Sequence, residues 1–301
     1  MLSAAFFSAV TPLRKGPLMN RSARRKRGFS LVELLAVLAI VAVGLALALP
    51  GLQRARDLAR RNACKNNLKQ VALAMHLYHE AYNTFPPGWI ARDTKPETGP
   101  CYGWGTFVLP YVDQAELYQE IKVNSPLDVT SVGRLQKGIA VFRCPEDASG
   151  DANPVRGKFG TSNYSGNYGS IALPGSVDAV TKTDGIFCWN SSVRLRDVVD
   201  GASNVFLVGE KSIASAAGIW MGVRNNQNAS DDVTACNHQA RMNAVLDSFS
   251  SQHGEGAHFA LCDGAVRFVS DKIDSQPGEG RPKGTYQKLS NKSDGQPVGK
   301  Y

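Results

Sequence analysis

The side chains best suited to chemistry lie towards the C-terminal end, around one short hairpin. His253, Glu255, His258 and Asp263 could ligate a divalent metal, because imidazole and carboxylate are ordinary metal ligands. A structural interpretation is simpler, since Asp263-Gly264 is typical of a hairpin turn and His253 can hydrogen-bond across its loop. The sequence shows no nucleophile paired with a base, so we predict neither an enzyme nor a firm metal site.

A second group of oxygen donors lies at Asp197, Asp200 and Asn204. Carboxylate and amide oxygens suit calcium, although this spacing is not that of an EF-hand loop. A capped turn accounts for the same residues more simply, because Asp and Asn side chains commonly hydrogen-bond the backbone of turns. We therefore predict no cofactor, with calcium at these three residues as the alternative.

The hairpin that positions the C-terminal group can be predicted in register. Asp263-Gly264 fits a two-residue turn of the I′ type, which would place Phe259 opposite Phe268. Side chains alternate between the two faces of a strand, so one buried face would carry both phenylalanines. His258 would then lie on the opposite face and point to solvent.

A single acid in an apolar run is the most unusual feature near the N-terminus. Residues 29–49 carry one charge, Glu33. A helix of this length spans roughly 31 Å, about the thickness of a bilayer core. A carboxylate in lipid costs on the order of 3 kcal/mol and usually has a partner. Pro50 follows the run and lacks a backbone donor, so we expect the helix to be interrupted there.

Charge and cysteine content narrow the possible classes. Residues 1–28 hold seven cations and no acid, and removing these seven from 34 leaves 27 Lys and Arg against 26 Asp and Glu. The net charge of +8 therefore belongs to the leader, and we predict no nucleic-acid partner. None of the six cysteines forms a CxxC pair, and outside the cytoplasm they could form disulfides in any of fifteen full pairings.

Three interpretations of the apolar run compete. A signal peptide could be cut after the small residues Ala46 to Ala48, although its apolar core is normally about 7–15 residues long. A plain membrane anchor accounts for the length of the run but not for Glu33. The third interpretation accounts for both features, and it rests on four cations, Arg24 to Arg27, followed by Gly28 and Phe29.

The segment RRKRGFSLVE resembles the processing signal of type IV prepilins and type II secretion pseudopilins. The resemblance implies that a prepilin peptidase cuts between Gly28 and Phe29 and methylates the new terminal amine. It also implies that Glu33 meets the terminal ammonium of a neighbouring pilin-like subunit, and that Pro50 occupies a position where this family tends to carry proline. The implied location is the inner membrane, with a single span and the head in the periplasm, or an extracellular filament.

The rest of the chain resembles one group of prepilin-like proteins. His253 and Asp263-Gly264 are separated by nine residues, as in the H-x9-DG proteins, the domain of unknown function 1559. The segments GWGTFVLPYVDQAELY, RCPED, SNYSGNYG and LRDVVDGASNVFLVGE fit the same group, so the likeness extends from about Gly28 to Ser270. It implies an α+β, type IV pilin-like fold, in which a long N-terminal helix packs on an antiparallel β-rich head.

The prepilin resemblance implies that the basic leader (1–28) is cleaved. Hydrophobic periodicity and composition predict four further segments, which are a transmembrane helix (29–50), an amphipathic stalk helix (51–87), a β-rich head (88–272) and a flexible tail (273–301). We predict a prepilin-like structural subunit of a type II secretion pseudopilus or a type IV pilus-like filament. The alternative is a membrane-anchored or secreted extracytoplasmic domain whose head binds or transforms a ligand.

Overall fold

The computed structural model describes most of the chain after the leader. The described residues are 28–90, 101–123, 132–173, 183–225, 228–237, 240–276, 284–299 and 301. The predicted leader, apart from Gly28, lies outside them. The chain divides into two compact units, Met1–Leu52 and Gln53–Tyr301.

The described secondary structure is one long helix followed by short helices and strands. The α-helices are α1 (Leu31–Tyr82), α2 (Trp104–Phe107), α3 (Ala115–Ile121), α4 (Val132–Leu135) and α5 (Thr285–Ser290). The strands are β1 (Cys101–Tyr102), β2 (Thr161–Ser162), β3 (Tyr164–Gly169), β4 (Phe206–Glu210), β5 (Gly218–Ile219), β6 (Gly222–Val223), β7 (Val233–Ala235), β8 (Gly256–Leu261) and β9 (Val266–Ser270). Short 3-10 turns include Ala140–Phe142 and Leu195–Asp197.

Helix α1 is continuous over its 52 residues and contains Pro50. The predicted interruption is therefore wrong. A proline removes one backbone donor, and the leucine and alanine residues that precede it are strong helix formers, so the helix continues although Gly51 follows directly. The apolar side chains in the first part of α1 are exposed, and this part is long and apolar enough to cross a membrane.

Beyond residue 52, α1 carries a buried stripe that belongs to the head. Its buried members, spaced by one to four positions, are Cys64, Leu68, Val71, Ala72, Ala74 and Met75. All of them except Cys64 join the larger apolar core, which also contains Trp104 and Trp220. One face of the helix closes this core, and the helix ends at Tyr82, short of the predicted bound at residue 87.

The head is built around a five-stranded sheet in the order β7-β3-β4-β8-β9. The pairs β3–β4, β4–β8 and β8–β9 are antiparallel, whereas β3–β7 is parallel. Strands β4 and β8 are buried along their whole length, because the sheet has an apolar core on each face. The larger core includes Leu207 and Ala260, and the smaller one includes Phe206 and Phe259.

The β8–β9 hairpin forms as predicted, but its register is shifted by one residue. Phe259 pairs with Arg267, and His258 pairs with Phe268. The predicted pairing of the two phenylalanines is wrong. His258 consequently shares a face with Phe268, their rings 5.1 Å apart, and it is 4% exposed rather than directed to solvent.

The shift comes from the turn, which has three residues rather than two. The amide of Leu261 donates to the carbonyl of Ala265 at 2.8 Å, and the amide of Gly264 donates to the carbonyl of Leu261 at 2.8 Å. Gly264 has φ of +79°, whereas Asp263 is not among the residues with positive φ. A type I′ turn needs positive φ at both central residues, so the chain adopts the three-residue alternative, which ends in a left-handed glycine.

The tail is not flexible where the structure describes it. Tyr286 and Leu289 of α5 are fully buried and pack in the smaller core with Phe206 and Phe259. The prediction of a flexible tail over 273–301 is wrong for this segment. Composition suggested flexibility because apolar residues are few there, but these two cover a sheet face whose phenylalanines would otherwise meet water.

We expect Leu289→Ala to destabilise the head by about 2–5 kcal/mol, the usual cost of truncating a buried leucine. Leu246→Ala is a matched control, because Leu246 is 71% exposed and an exposed truncation typically changes stability by less than about 0.5 kcal/mol. Urea unfolding of the full chain in detergent, followed by tryptophan fluorescence, measures both. Equal midpoints for the two variants would show that the tail does not contribute to the fold.

Candidate functional site

A buried polar cluster of the head is centred on the carboxylate of Glu210, the last residue of β4. Its Oε2 accepts a hydrogen bond from the amide of His258 at 2.6 Å and lies 3.2 Å from His258 Nδ1. Its Oε1 lies 3.1 Å from Nε2 of His253. The antiparallel β4–β8 pairing brings these residues together, since His258 lies on β8 and His253 lies three residues before that strand.

The site is almost entirely shielded from solvent. The side chains of Glu210, His253 and His258 are 2%, 1% and 5% exposed. Burial by itself raises the pKa of Glu210, but the hydrogen bonds and charges of His253 and His258 outweigh it and hold the pKa below its ordinary value. An ionised carboxylate at this depth is tolerated because its lone pairs are occupied by donors.

A disulfide lies against this cluster. Cys64 of α1 is bonded to Cys144, 80 residues along the chain, and the sulfur of Cys144 is 3.7 Å from His253 Nε2. A link that closes a loop of this length stabilises the fold by about 4–5 kcal/mol in the chain-entropy model. The amide of Cys144 also donates to Asn163 at 3.0 Å. The buried cluster is therefore joined covalently to the stalk part of α1.

Two atoms at this site lack the partners that their burial demands. Nδ1 of His253 and Oε2 of Glu146 are shielded from solvent and make no hydrogen bond, although they lie 3.7 Å apart. They border a cavity of 360 Å³. Its lining residues are Arg54, Asp57, Leu58, Arg61, Glu146 and His253. A buried polar atom without a hydrogen bond is costly, so this position beside the cavity is a candidate place for a ligand or a proton to act.

The two halves of the H-x9-DG motif do not form one site. His253 precedes β8 and Asp263-Gly264 follows it, so a strand of six residues, about 20 Å long, separates them. Lys69 of α1 donates to the carbonyl of Gly264. The structure therefore brings together His253 and His258, both singled out from the sequence, but places Asp263 elsewhere.

The calcium candidates form a network of capped turns. Asp197 accepts a hydrogen bond from the amide of Arg194 at 2.9 Å. The two carboxylate oxygens of Asp200 accept from the amides of residues 294 and 295, at 2.6 Å and 2.9 Å. The side chain of Asn204 donates to the carbonyl of Asp200 at 3.0 Å. These bonds account for the residues without an ion, and calcium here stays a prediction.

The N-terminal site belongs to the first unit. Ser30 caps α1, because its Oγ accepts from the amide of Val32 at 3.3 Å while Glu33 accepts from the amide of Ser30 at 2.9 Å. This reciprocal pair is a capping box, and its Ser-x-x-Glu pattern could have been found in the sequence. Gly28 and Phe29 precede the helix, and Phe29 is 78% exposed, so the predicted cleavage bond lies outside regular structure.

Sequence reasoning missed Glu210 and its neighbour Lys211. Lys211 is fully buried and points away from Glu210, donating to Asp247 at 3.0 Å and to the carbonyl of Ser230 at 2.9 Å. Burial, with the nearby charge of Arg156, lowers the pKa of Lys211 to about 8 despite the attraction of Asp247. The adjacent opposite charges at the end of this apolar strand could have indicated two buried polar sites in the sequence. Successive side chains of a strand point to opposite faces of the sheet, so each charge enters a different interior.

The architecture and the N-terminus together define the class of protein. A long apolar N-terminal helix followed by a β-rich head is an α+β, pilin-like fold. Residues 23–49 match the prokaryotic N-terminal methylation motif, which implies processing by a prepilin peptidase and makes the chain a membrane-anchored, prepilin-type protein. The predicted fold class is confirmed.

The particular family follows from the remainder of the chain. Residues 53–276 match the family described as "Protein of unknown function (DUF1559)", and the chain belongs to that family. The resemblance drawn from the H-x9-DG pattern is thus confirmed. No curated protein and no solved structure matches the chain. Both matched families favour a structural rather than a catalytic protein.

We expect Glu210→Gln to destabilise the head at neutral pH by about 1.5–3 kcal/mol, the range for a hydrogen bond to a charged group. The pKa of Glu210 is lower in the folded chain than in the unfolded chain, so its contribution is present above the unfolded pKa of about 4.3 and is lost as the pH falls through the folded value. Urea unfolding of both proteins across this range should show their difference shrinking in acid.

The exposed Glu80 supplies the control for that series, because Glu80→Gln makes the same chemical change at the surface of α1. We expect this variant to follow the wild type at every pH, within about 0.5 kcal/mol. A Glu210→Gln variant as stable as Glu80→Gln at neutral pH would contradict the role assigned to the buried carboxylate.

Proposed function

We propose that this chain is a prepilin-like structural subunit of a type II secretion pseudopilus or a type IV pilus-like filament. The observation that carries the proposal is Glu33, the single acid of the apolar run 29–49, which lies within the matched methylation motif. The exposed apolar side chains of α1 between residues 31 and 52 support it, because they require either lipid or the helices of other subunits as neighbours.

The position of Glu33 suits a partner that appears only after processing. Cleavage between Gly28 and Phe29 would create an ammonium group at the N-terminus of α1, where the helix dipole disfavours a positive charge. A carboxylate in the first turn offsets that charge, in the same chain or across a contact between subunits. In lipid the pairing is stronger than in water, so it favours assembly over an isolated charged helix.

The head has the features of a domain that matures outside the cytoplasm. The Cys64–Cys144 disulfide is of a kind that persists in oxidising compartments. We therefore place the head in the periplasm or on an extracellular filament, with α1 as a single span of the inner membrane. The partners would be the prepilin peptidase, which also methylates Phe29, and other pilin-like subunits.

A second candidate function is an anchored extracytoplasmic binding domain. The observation that favours it is the cavity beside His253, with the partnerless atoms of His253 and Glu146 at its edge. In this alternative the head would perform the function and α1 would be a tether. The processed N-terminus separates the two, because a tether needs no methylated phenylalanine.

We expect the membrane form to begin with N-methyl-Phe29, and Gly28→Val to abolish this processing, since the peptidase would meet a branched side chain beside the scissile bond. A Cβ at Gly28 has nothing within 4 Å, and the same holds at Gly51. Gly51→Val is therefore a control that should be cut normally. Intact mass and N-terminal sequencing measure all three proteins, and a mature wild-type terminus at any residue other than Phe29 contradicts the proposal.

We expect Glu33→Gln to be cleaved and methylated but to assemble no better than Glu33→Ala. Glutamine preserves the capping box and removes the charge, whereas Ser30→Ala removes the Oγ acceptor at a cost of about 1 kcal/mol and preserves the charge. Ser30→Ala should therefore assemble. Filament yield after mechanical shearing, with mass spectrometry of the N-terminus, gives the comparison, and wild-type yield from Glu33→Gln would show that the charge is not required.

A further inference from the structure

The disulfide, His253 and Glu210 place four metal-ligating atoms in one buried position. The two sulfurs of Cys64 and Cys144, a ring nitrogen of His253 and a carboxylate oxygen of Glu210 all lie within 4.8 Å of one another. Two sulfurs, an imidazole and a carboxylate are a donor set suited to Zn²⁺. The sulfurs are ligands only as thiolates, so the set is complete only when the disulfide is reduced.

The spacing of these atoms fits a tetrahedral ion. Bonds of about 2.0–2.3 Å to Zn²⁺ place neighbouring ligand atoms about 3.3–3.8 Å apart. Nε2 of His253 lies 3.7 Å from the sulfur of Cys144 and 3.1 Å from Oε1 of Glu210. Nε2 of His253 thus lies at nearly the required separation from one sulfur and from one carboxylate oxygen, and the two bonded sulfurs would have to move apart.

The surroundings also match those of a metal-binding histidine. A histidine that binds zinc through one nitrogen usually donates its other N–H to a carboxylate or a carbonyl. Nδ1 of His253 faces Oε2 of Glu146 at 3.7 Å, and neither atom has another hydrogen-bond partner. The other oxygen of Glu210 is held by the amide of His258. A metal on Nε2 would place the ring proton on Nδ1, facing Glu146, and a shortening of the 3.7 Å separation would then give both atoms a hydrogen bond.

We propose that Cys64, Cys144, His253 and Glu210 form a Zn²⁺ site in the reduced protein, and that this site and the disulfide are mutually exclusive states of the same residues. A dithiol supplies two electrons to the S–S bond, becomes a disulfide itself, and leaves two protein thiols. Zn²⁺ then replaces the two thiol protons, which pass to solvent. Either state links the stalk part of α1 to the head, and the inference does not depend on the proposed role in a filament.

Cobalt tests the site directly, because Co²⁺ replaces Zn²⁺ and absorbs in the near-ultraviolet when thiolates bind it. The full chain in detergent is reduced with a dithiol, which is then removed without oxygen. We expect one Co²⁺ per reduced chain, with the intense visible bands of a tetrahedral ion, and displacement by Zn²⁺. The oxidised chain should show no thiolate band. Should reduction unfold the metal-free head, recovery of its circular dichroism on adding Zn²⁺ gives the same answer.

Four variants locate the ion. We expect Cys64→Ser to remove most of the thiolate absorption, His253→Ala to weaken binding more than Glu146→Gln does, and Glu146→Gln to weaken it roughly 10–100-fold. Cys188→Ser removes a thiol outside the cluster and should change nothing. The proposal is overturned if the reduced wild type gives no thiolate band, or if the band is as strong in Cys64→Ser and His253→Ala as in Cys188→Ser.

Discussion

The buried carboxylate of Glu210 is the constraint on which the head depends most. A charge at this depth is stable only when donors surround it, and both histidines supply them from one segment of chain. Meeting this requirement fixes the start of β8 beside the end of β4 and folds the loop before β8 inward. The folded loop brings Nε2 of His253 to 3.7 Å from the sulfur of Cys144, whose disulfide reaches α1. One desolvated charge thus couples the sheet, the loop and the stalk.

Helix α1 is one uninterrupted element whose two parts require different surroundings. Up to residue 52 its apolar side chains are exposed on all sides, which only lipid or other helices can compensate. From Cys64 onward a single stripe is buried, and the exposed positions include both polar residues and the leucines Leu73 and Leu77. The change occurs without a break at Pro50, so the change of environment is set by side chains rather than by backbone geometry. The only charge in the apolar part, Glu33, lies in the first turn, where its cap to Ser30 already fixes its position.

The sequence predicts a structural feature correctly where that feature depends on residues close together in the chain. The apolar first part of α1 and the existence of the β8–β9 hairpin both follow from patterns within a few residues. The register of that hairpin does not, because an Asp-Gly pair suits both a two-residue and a three-residue turn. The burial of His258 could not be predicted either, since its partner Glu210 lies 48 residues earlier. The same limit applies to the tail, whose order depends on a distant sheet face that Tyr286 covers.

The nine-residue spacing of the H-x9-DG motif has a geometric rather than a catalytic explanation. One end of β8 is held beside Cys64 through His253 and the disulfide, and the other end places Gly264 next to His76 of α1. Twelve helical residues separate Cys64 from His76, about 18 Å, and the six residues of β8 span about 20 Å. The spacing of the motif therefore gives β8 about the same length as the stretch of α1 between Cys64 and His76. Glycine is required at the far end because φ is +79° there and an added Cβ would lie 3.3 Å from the His76 ring.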